Sequence, residues 1–149
     1  IEDDKEYLKE ISRVLKPGGK FICTTPSINT TLSRKPWHIR EYKKQELKDL
    51  MLNYFSNVDA RGVHGNEKVM KYYEKNKENV NKIMRFDIFN LQYRLPRKSL
   101  QWIYDYMNDR NRSKMHKQDN DLSASITVDD FYTQEVNDDS LDLFYIAQK

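Results

Sequence analysis

The chain opens with a hydrophobic pattern that changes from helical to extended spacing. After an acidic pair that can cap a helix, Asp3-Asp4, apolar residues recur at helical intervals; they are Tyr7, Leu8, Ile11, Val14 and Leu15. The run Pro17-Gly18-Gly19 then stops the helix and supplies positive φ angles for a tight turn. An apolar and β-branched stretch over residues 21–25 follows. The pattern predicts helix, turn and buried strand, which together make an α/β unit.

A second helix and strand are predicted directly after the first pair. A polar loop over residues 27–34 leads into an amphipathic helix at 43–54. Val58, Ala60 and Val63 then have the spacing of a further strand. The first third of the chain therefore has the alternation of an α/β core.

The middle of the chain has a mostly helical pattern. Residues 66–108 carry two apolar stripes at helical spacing, separated by Pro96, and we expect these stripes to pack as a cap on the core. Residues 110–121 lack an apolar period and combine basic with small polar side chains. This composition predicts a mobile basic loop.

The last part of the chain is predicted to return to the sheet. Thr127 is followed three positions later by Asp130, which is the signature of a single capped helical turn. Two strand-like runs, 131–136 and 141–147, flank a turn-forming segment over 137–140. This arrangement predicts a β-hairpin that finishes the sheet.

These patterns divide the chain into three parts. Residues 1–65 are expected to form the core, residues 66–125 a helical cap with its basic loop, and residues 126–149 the closing strands of the core sheet. No internal repeat is visible.

Composition limits the classes of function. The 149 residues include 38% hydrophobic and 33% charged positions, and 26 basic against 23 acidic side chains leave a net charge of +3. The electrostatic field of so small a net charge is weak and does not favour binding to a phosphate backbone. Acidic residues near Trp102 and in the basic loop also cancel much of the positive charge there. We therefore expect no nucleic-acid partner.

The sequence also argues against disulfides, membrane contact and metals. Cys23 is the only cysteine, which excludes an intrachain disulfide and fits a reducing compartment. No apolar run approaches the roughly 20 residues that cross a bilayer, so we expect a cytoplasmic protein with no membrane contact. His64 and His116 have no second ligand at metal-binding spacing. No metal site is predicted.

One segment resembles a known family. The run Tyr7–Ile22, which contains Arg-Val-Leu-Lys-Pro-Gly-Gly, is similar to the part of class I S-adenosylmethionine-dependent methyltransferases that leads from the helix after the fourth strand into the fifth strand. The resemblance, to the group often called type 11, continues through Thr24-Thr25-Pro26 and His38-Ile39-Arg40-Glu41-Tyr42. It ends with 140–149, which is similar to the closing strand of that fold.

The resemblance implies a fold class and a missing half. The expected fold is α/β, the C-terminal half of a partial Rossmann-like methyltransferase sheet, with a helical cap insertion at 66–125. The glycine-rich loop and the acid that binds the cofactor ribose are expected upstream of Ile1, in the N-terminal half of the same enzyme. This chain alone is therefore expected to be inactive and to bind no cofactor.

The resemblance also implies roles for particular residues. S-adenosylmethionine is the expected cofactor, with Ile1 and Glu2 at its edge, and the expected partner is a small-molecule methyl acceptor such as a sugar or a lipid-linked intermediate. His38, whose side chain titrates near neutrality, is the candidate base because it follows the fifth strand. The residues expected to bind the acceptor are Thr25, Pro26, Arg40 and Glu41.

Other interpretations of these residues stay open. His38 could instead cap the next helix or bind loop backbone, and Arg40 and Glu41 could pair with each other or with neighbouring helices. A different class of function is a non-catalytic interaction module, in which a partner chain or a second copy in a homo-oligomer completes an exposed sheet edge.

Overall fold

A computed structural model describes residues 1–32, 38–85 and 122–149, together with residues 94, 96, 99, 101, 102, 105–107, 109, 110 and 113. The protein is a mixed α/β structure with a small four-stranded sheet. Its elements in chain order are α1 (Asp4–Val14), β1 (Lys20–Pro26), α2 (Lys44–Leu52), β2 (Asn57–Gly65), α3 (Glu67–Met84), a 3₁₀ turn (Val128–Asp130), β3 (Phe131–Glu135) and β4 (Asp142–Gln148). The second half of the predicted cap and the basic loop at 110–121 lie largely outside the described residues.

The helices and strands predicted within the described ranges 1–32, 38–85 and 122–149 are confirmed close to their expected bounds. Asp3 caps α1 by accepting a 2.9 Å hydrogen bond from the Glu6 N–H, and α2 covers the centre of the helix expected at 43–54. The capped turn at Thr127 is also confirmed, because the Thr127 N–H donates to Asp130 Oδ2 over 2.7 Å.

The order of the strands in the sheet is β1-β4-β2-β3. Strand β4 is antiparallel to both β1 and β2, and those two strands therefore run in the same direction on either side of it. The predicted hairpin between β3 and β4 is wrong, since β2 lies between them.

Burial explains why β4 is central and β3 is not. The side chains of Leu143, Tyr145 and Ala147 are fully buried, whereas every residue of Phe131–Glu135 is exposed. A central strand must supply an apolar face to the core, and β3 offers only one aromatic pair followed by polar residues. The alternation that identified both strands carries no information about which strands are neighbours.

The turn between α1 and β1 depends on one glycine with positive φ. Gly18 has φ +76°, while Gly19 lies outside the positive-φ region, so the expectation of two such residues is half right. Gly19 is required for a different reason, because a Cβ there would lie 2.8 Å from the carbonyl oxygen of Lys16. The turn thus needs glycine at both positions, at Gly18 for the left-handed backbone conformation and at Gly19 for lack of space.

The core lies between one face of the sheet and helices α1 and α2. Phe21 stacks on Phe55 with 5.9 Å between ring centroids, and Leu8 fills the α1 side. The apolar positions that predicted α1 do not all face the core, since Val14 is 64% exposed, whereas Leu15 packs on the core. The expectation of a buried strand at 21–25 is wrong for β1, because Phe21 and Cys23 on one face are half-buried and Ile22 on the other face is 57% exposed.

The chain forms two compact units. The first comprises residues 1–31, 39–64 and 132–149, and contains α1, α2 and most of the sheet. The second comprises residues 32–38 and 65–131 and contains α3 and the 3₁₀ turn. In the second unit Asn66 caps α3 by accepting a 3.2 Å hydrogen bond from the Val69 N–H, and its own N–H donates to the carbonyl of Asp130.

Candidate functional site

The carboxyl ends of β1 and β2 lie at the same end of the sheet, on either side of the start of β4. Asp142 at the start of β4 is paired with Pro26 on one side and with Val63 on the other. We call this end, with the segments that adjoin it, the carboxyl edge. In α/β proteins this is where ligands most often bind. Thr25 and Pro26, two predicted acceptor-binding residues, lie here at the end of β1.

A short segment over residues 39–43, which we call the strap, lies beside the carboxyl edge. Tyr42 forms a parallel bridge with Ser27, and its carbonyl accepts a 3.3 Å hydrogen bond from the Ile28 N–H. The strap therefore continues the main-chain pairing just beyond the end of β1, and leads directly into α2.

Side chains of the strap bind the starts of both helices. Arg40 donates to Asp4 Oδ2 over 2.7 Å and to Glu46 Oε1 over 2.6 Å. The hydroxyl of Tyr42 donates to the same Asp4 oxygen, and the Arg40 guanidinium lies 4.8 Å from the centre of the Tyr42 ring. We call these four residues the strap cluster.

The strap cluster fixes the protonation of its members. The Tyr42 hydrogen bond and the Arg40 charge hold the pKa of Asp4 below its usual range despite partial burial. Burial and the Asp4 charge raise the pKa of the Tyr42 hydroxyl, so that it stays a proton donor. The hydrogen bond from Arg40 lowers the pKa of Glu46. The cluster thus holds one cation and two carboxylates around neutral pH.

This arrangement determines what the strap can do chemically. Because both terminal nitrogens of Arg40 already donate to carboxylates, its forked face is not presented to an anionic ligand. Arg40 therefore pairs with the two neighbouring helices, which was one of the alternatives left open by the sequence. Asp4 and Glu46 retain further acceptor capacity for the hydroxyl or amine hydrogens of a polar ligand.

A second polar group lies buried at the end of β2. His64 Nε2 is 3.1 Å from Ser140 Oγ, which also accepts a 3.0 Å hydrogen bond from the Asn137 N–H. The His64 ring stacks on Tyr132 with 5.7 Å between centroids. Since His64 is 6% exposed and Ser140 is 0% exposed, the pair is closed to substrate. It holds the turn that precedes β4.

Sequence reasoning missed both groups of contacts. Asp4 and Tyr42 are separated by 38 positions, and His64 and Ser140 by 76, so no local spacing connects them. One signal was available for the strap cluster. An acid at the start of one helix and a basic-acidic-aromatic run before the next would meet if both helices begin at the carboxyl edge.

The remaining predicted site residues occupy separate places. Ile1 and Glu2 are exposed and precede α1. They lie three and two positions before Asp4, which is the first residue of that helix. Glu41 lies in the strap and is half-buried. His38 is half-buried and belongs to the second unit, whereas the other predicted residues belong to the first. The role of His38 as a base stays a prediction.

Comparison with known proteins found no matching protein-family model, no matching curated protein and no matching solved structure. Within the described parts of the chain, no helix is both long and apolar enough to cross a membrane. The same residues contain no group of three or more His, Cys, Asp or Glu side chains placed to hold a metal ion.

Proposed function

We propose that this chain is the substrate-side half of a class I S-adenosylmethionine-dependent methyltransferase. The observation that carries the proposal is the position of β4. This antiparallel strand lies between two parallel strands that are linked through a helix, with β3 outside β2, and we take it as the closing strand of that sheet. The left-handed Gly18 in the Lys-Pro-Gly-Gly turn supports the same assignment.

The proposed reaction methylates oxygen or nitrogen on a small polar molecule, such as a sugar or a lipid-linked intermediate. S-adenosylmethionine would supply the methyl group from its sulfonium. Ile1 and Glu2 fit the edge of a cofactor site, because both are exposed just before a helix that starts at the carboxyl edge. The strap would hold the acceptor through hydrogen bonds, and the assignment of His38 as the base stays the prediction made from the sequence.

Calorimetry tests this proposal. We expect the full-length natural protein that contains this chain to bind S-adenosylmethionine and S-adenosylhomocysteine, and residues 1–149 alone to bind neither tightly. Absence of binding by the full-length protein would contradict the proposed function. Replacing His38 with Ala in the full-length protein tests the base separately, and an unchanged methylation rate at saturating acceptor would remove His38 from that role.

A non-catalytic interaction module is the second candidate. Strand β1 ends the sheet on its outer side among the described residues, and Ile22 on its uncovered face is 57% exposed. Exposed edges and apolar side chains are typical of surfaces that another chain covers. Sedimentation of residues 1–149 over a range of concentrations separates self-association from a monomer.

A further inference from the structure

One oxygen atom joins the strap to helix α1. Asp4 Oδ2 accepts hydrogen bonds from both the Arg40 guanidinium and the Tyr42 hydroxyl. These two hydrogen bonds cannot change independently, because both end on the same oxygen and any displacement of Asp4 weakens both of them. A network of this kind is coupled more strongly than two separate pairs.

The two sides of this link carry different predicted roles. Asp4 follows Ile1 and Glu2, the proposed cofactor edge, by only a few positions. Glu41, one of the predicted acceptor-binding residues, lies in the strap itself. Arg40 also binds Glu46 in the first turn of α2, so the strap is held at the starts of both helices.

The first turn of α1 has its own support. Asp3 caps the Glu6 N–H over 2.9 Å, and the Tyr7 N–H donates to the Asp3 carbonyl over 3.2 Å. Loss of the strap contacts should therefore loosen the first turn of α1 without unfolding the helix. Asp4 is not needed as a cap, and its side chain is available for a different role.

We propose that Asp4 is a positioning residue that couples the cofactor edge at Ile1-Glu2 to the strap. A ligand that orders the residues before α1 fixes the Asp4 carboxylate, and the fixed carboxylate holds the strap through Tyr42 and Arg40. Cofactor binding thereby prepares the acceptor-binding segment. The identity of the ligand in this coupling rests on the proposed function. The link between Asp4 and the strap, made by the hydrogen bonds from Arg40 and Tyr42, does not depend on it.

Hydrogen exchange of residues 1–149 without any ligand tests the link alone. In Tyr42→Phe we expect the amides of Ile28 and of the first turn of α1 to exchange about tenfold faster, as expected for loss of one hydrogen bond to a charged group. Tyr7→Phe is the matched control on α1, since its hydroxyl has no hydrogen bond to the residues described. Faster exchange at Ile28 with no change in α1 would overturn the coupling.

A second measurement uses the full-length natural protein with S-adenosylhomocysteine as the probe. We expect the ligand to slow amide exchange in the strap of the wild type and of Arg61→Lys, a control whose ion pair with Asp59 lies elsewhere on the sheet. The slowing should be lost in Tyr42→Phe and in Arg40→Lys. Protection of the strap that persists in both variants would overturn the proposal. If the wild type binds no ligand, the proposed function fails, and the ligand-free measurement still decides the link.

Discussion

The hydroxyl of Tyr145 donates a 2.6 Å hydrogen bond to the main-chain carbonyl of Lys44, and this bond joins the middle of the central strand to the first residue of α2. Tyr145 is fully buried, and burial raises the pKa of its hydroxyl to about 12. The contact fixes where α2 begins relative to the sheet. It is thus part of what places the strap beside the carboxyl edge.

Tyr145→Phe should lower the free energy of unfolding by about 1 to 2 kcal/mol, because the half-buried carbonyl of Lys44 loses a donor while the ring still fills the core. The urea midpoint should fall with an unchanged denaturant slope. Tyr7→Phe, on an exposed ring, should change stability by less than about 0.5 kcal/mol. Equal effects of the two changes would contradict the importance of the Lys44 contact.

Gly62→Ala should be destabilising because of space rather than backbone conformation. A Cβ on Gly62 would lie 2.1 Å from Ser140 Oγ and 2.9 Å from His64 Nε2. We expect a loss of about 2 to 3 kcal/mol, typical of an overpacked site. Ser140→Gly should be less harmful in the Gly62→Ala background than alone, and strictly additive effects in the double-mutant cycle would argue against the clash.

Ser140→Ala should cost about 2 kcal/mol in unfolding free energy. The change leaves His64 Nε2 and the Asn137 N–H without their shared partner in a buried place. Ser56→Ala is the matched control, since Ser56 is exposed and donates to a single carbonyl, that of Gln148. Thermal unfolding of both variants under one condition gives the comparison, and equal losses would show that the buried pair adds nothing.

Asp130 should make the protein sensitive to acid. A hydrogen bond from the Lys68 ammonium, with further bonds from the Thr127 N–H and Asn66, lowers the pKa of Asp130 to about 2 from its ordinary 3.8. Because the folded state holds the charged form, the stabilisation is complete above about pH 4 and is lost as the pH falls towards 2.

Urea midpoints at pH 5, 3 and 2 measure this effect. We expect Asp130→Asn to be less stable than the wild type at pH 5 and to converge with it near pH 2. Asp129→Asn, on the exposed neighbour, should follow the wild-type curve. A constant difference between Asp130→Asn and the wild type at every pH would show that ionisation of Asp130 does not contribute.

The sequence predicted elements that depend on neighbouring residues. Helix α1 follows from its apolar spacing and the Asp3 cap, and the 3₁₀ turn follows from Thr127 and Asp130 three positions apart. Such signals lie within a few residues of each other, so backbone propensity and capping determine them before tertiary contacts form.

Features that depend on distant residues could not be predicted in the same way. The place of β4 between β1 and β2 depends on which strand can bury Leu143 and Tyr145, and alternation alone does not rank strands. The joining of Asp4 to Tyr42 depends on the packing of two helices on one edge. The segment around His38 supplied candidate residues, but only the three-dimensional arrangement revealed that Arg40 is held by two acids.

The central place of β4 has a consequence for how the protein folds. Lys20 pairs with Gln148, so β1 gains its neighbour in the sheet from a segment made much later in synthesis. A topology with such distant pairings has a high contact order. Folding is slowed because the entropic cost of closing a long loop comes before the strand pairing that offsets it. While a ribosome is still completing the chain, β1 and β2 have no strand to join them. Their apolar faces are then exposed, and exposed apolar surface of this kind is prone to aggregation.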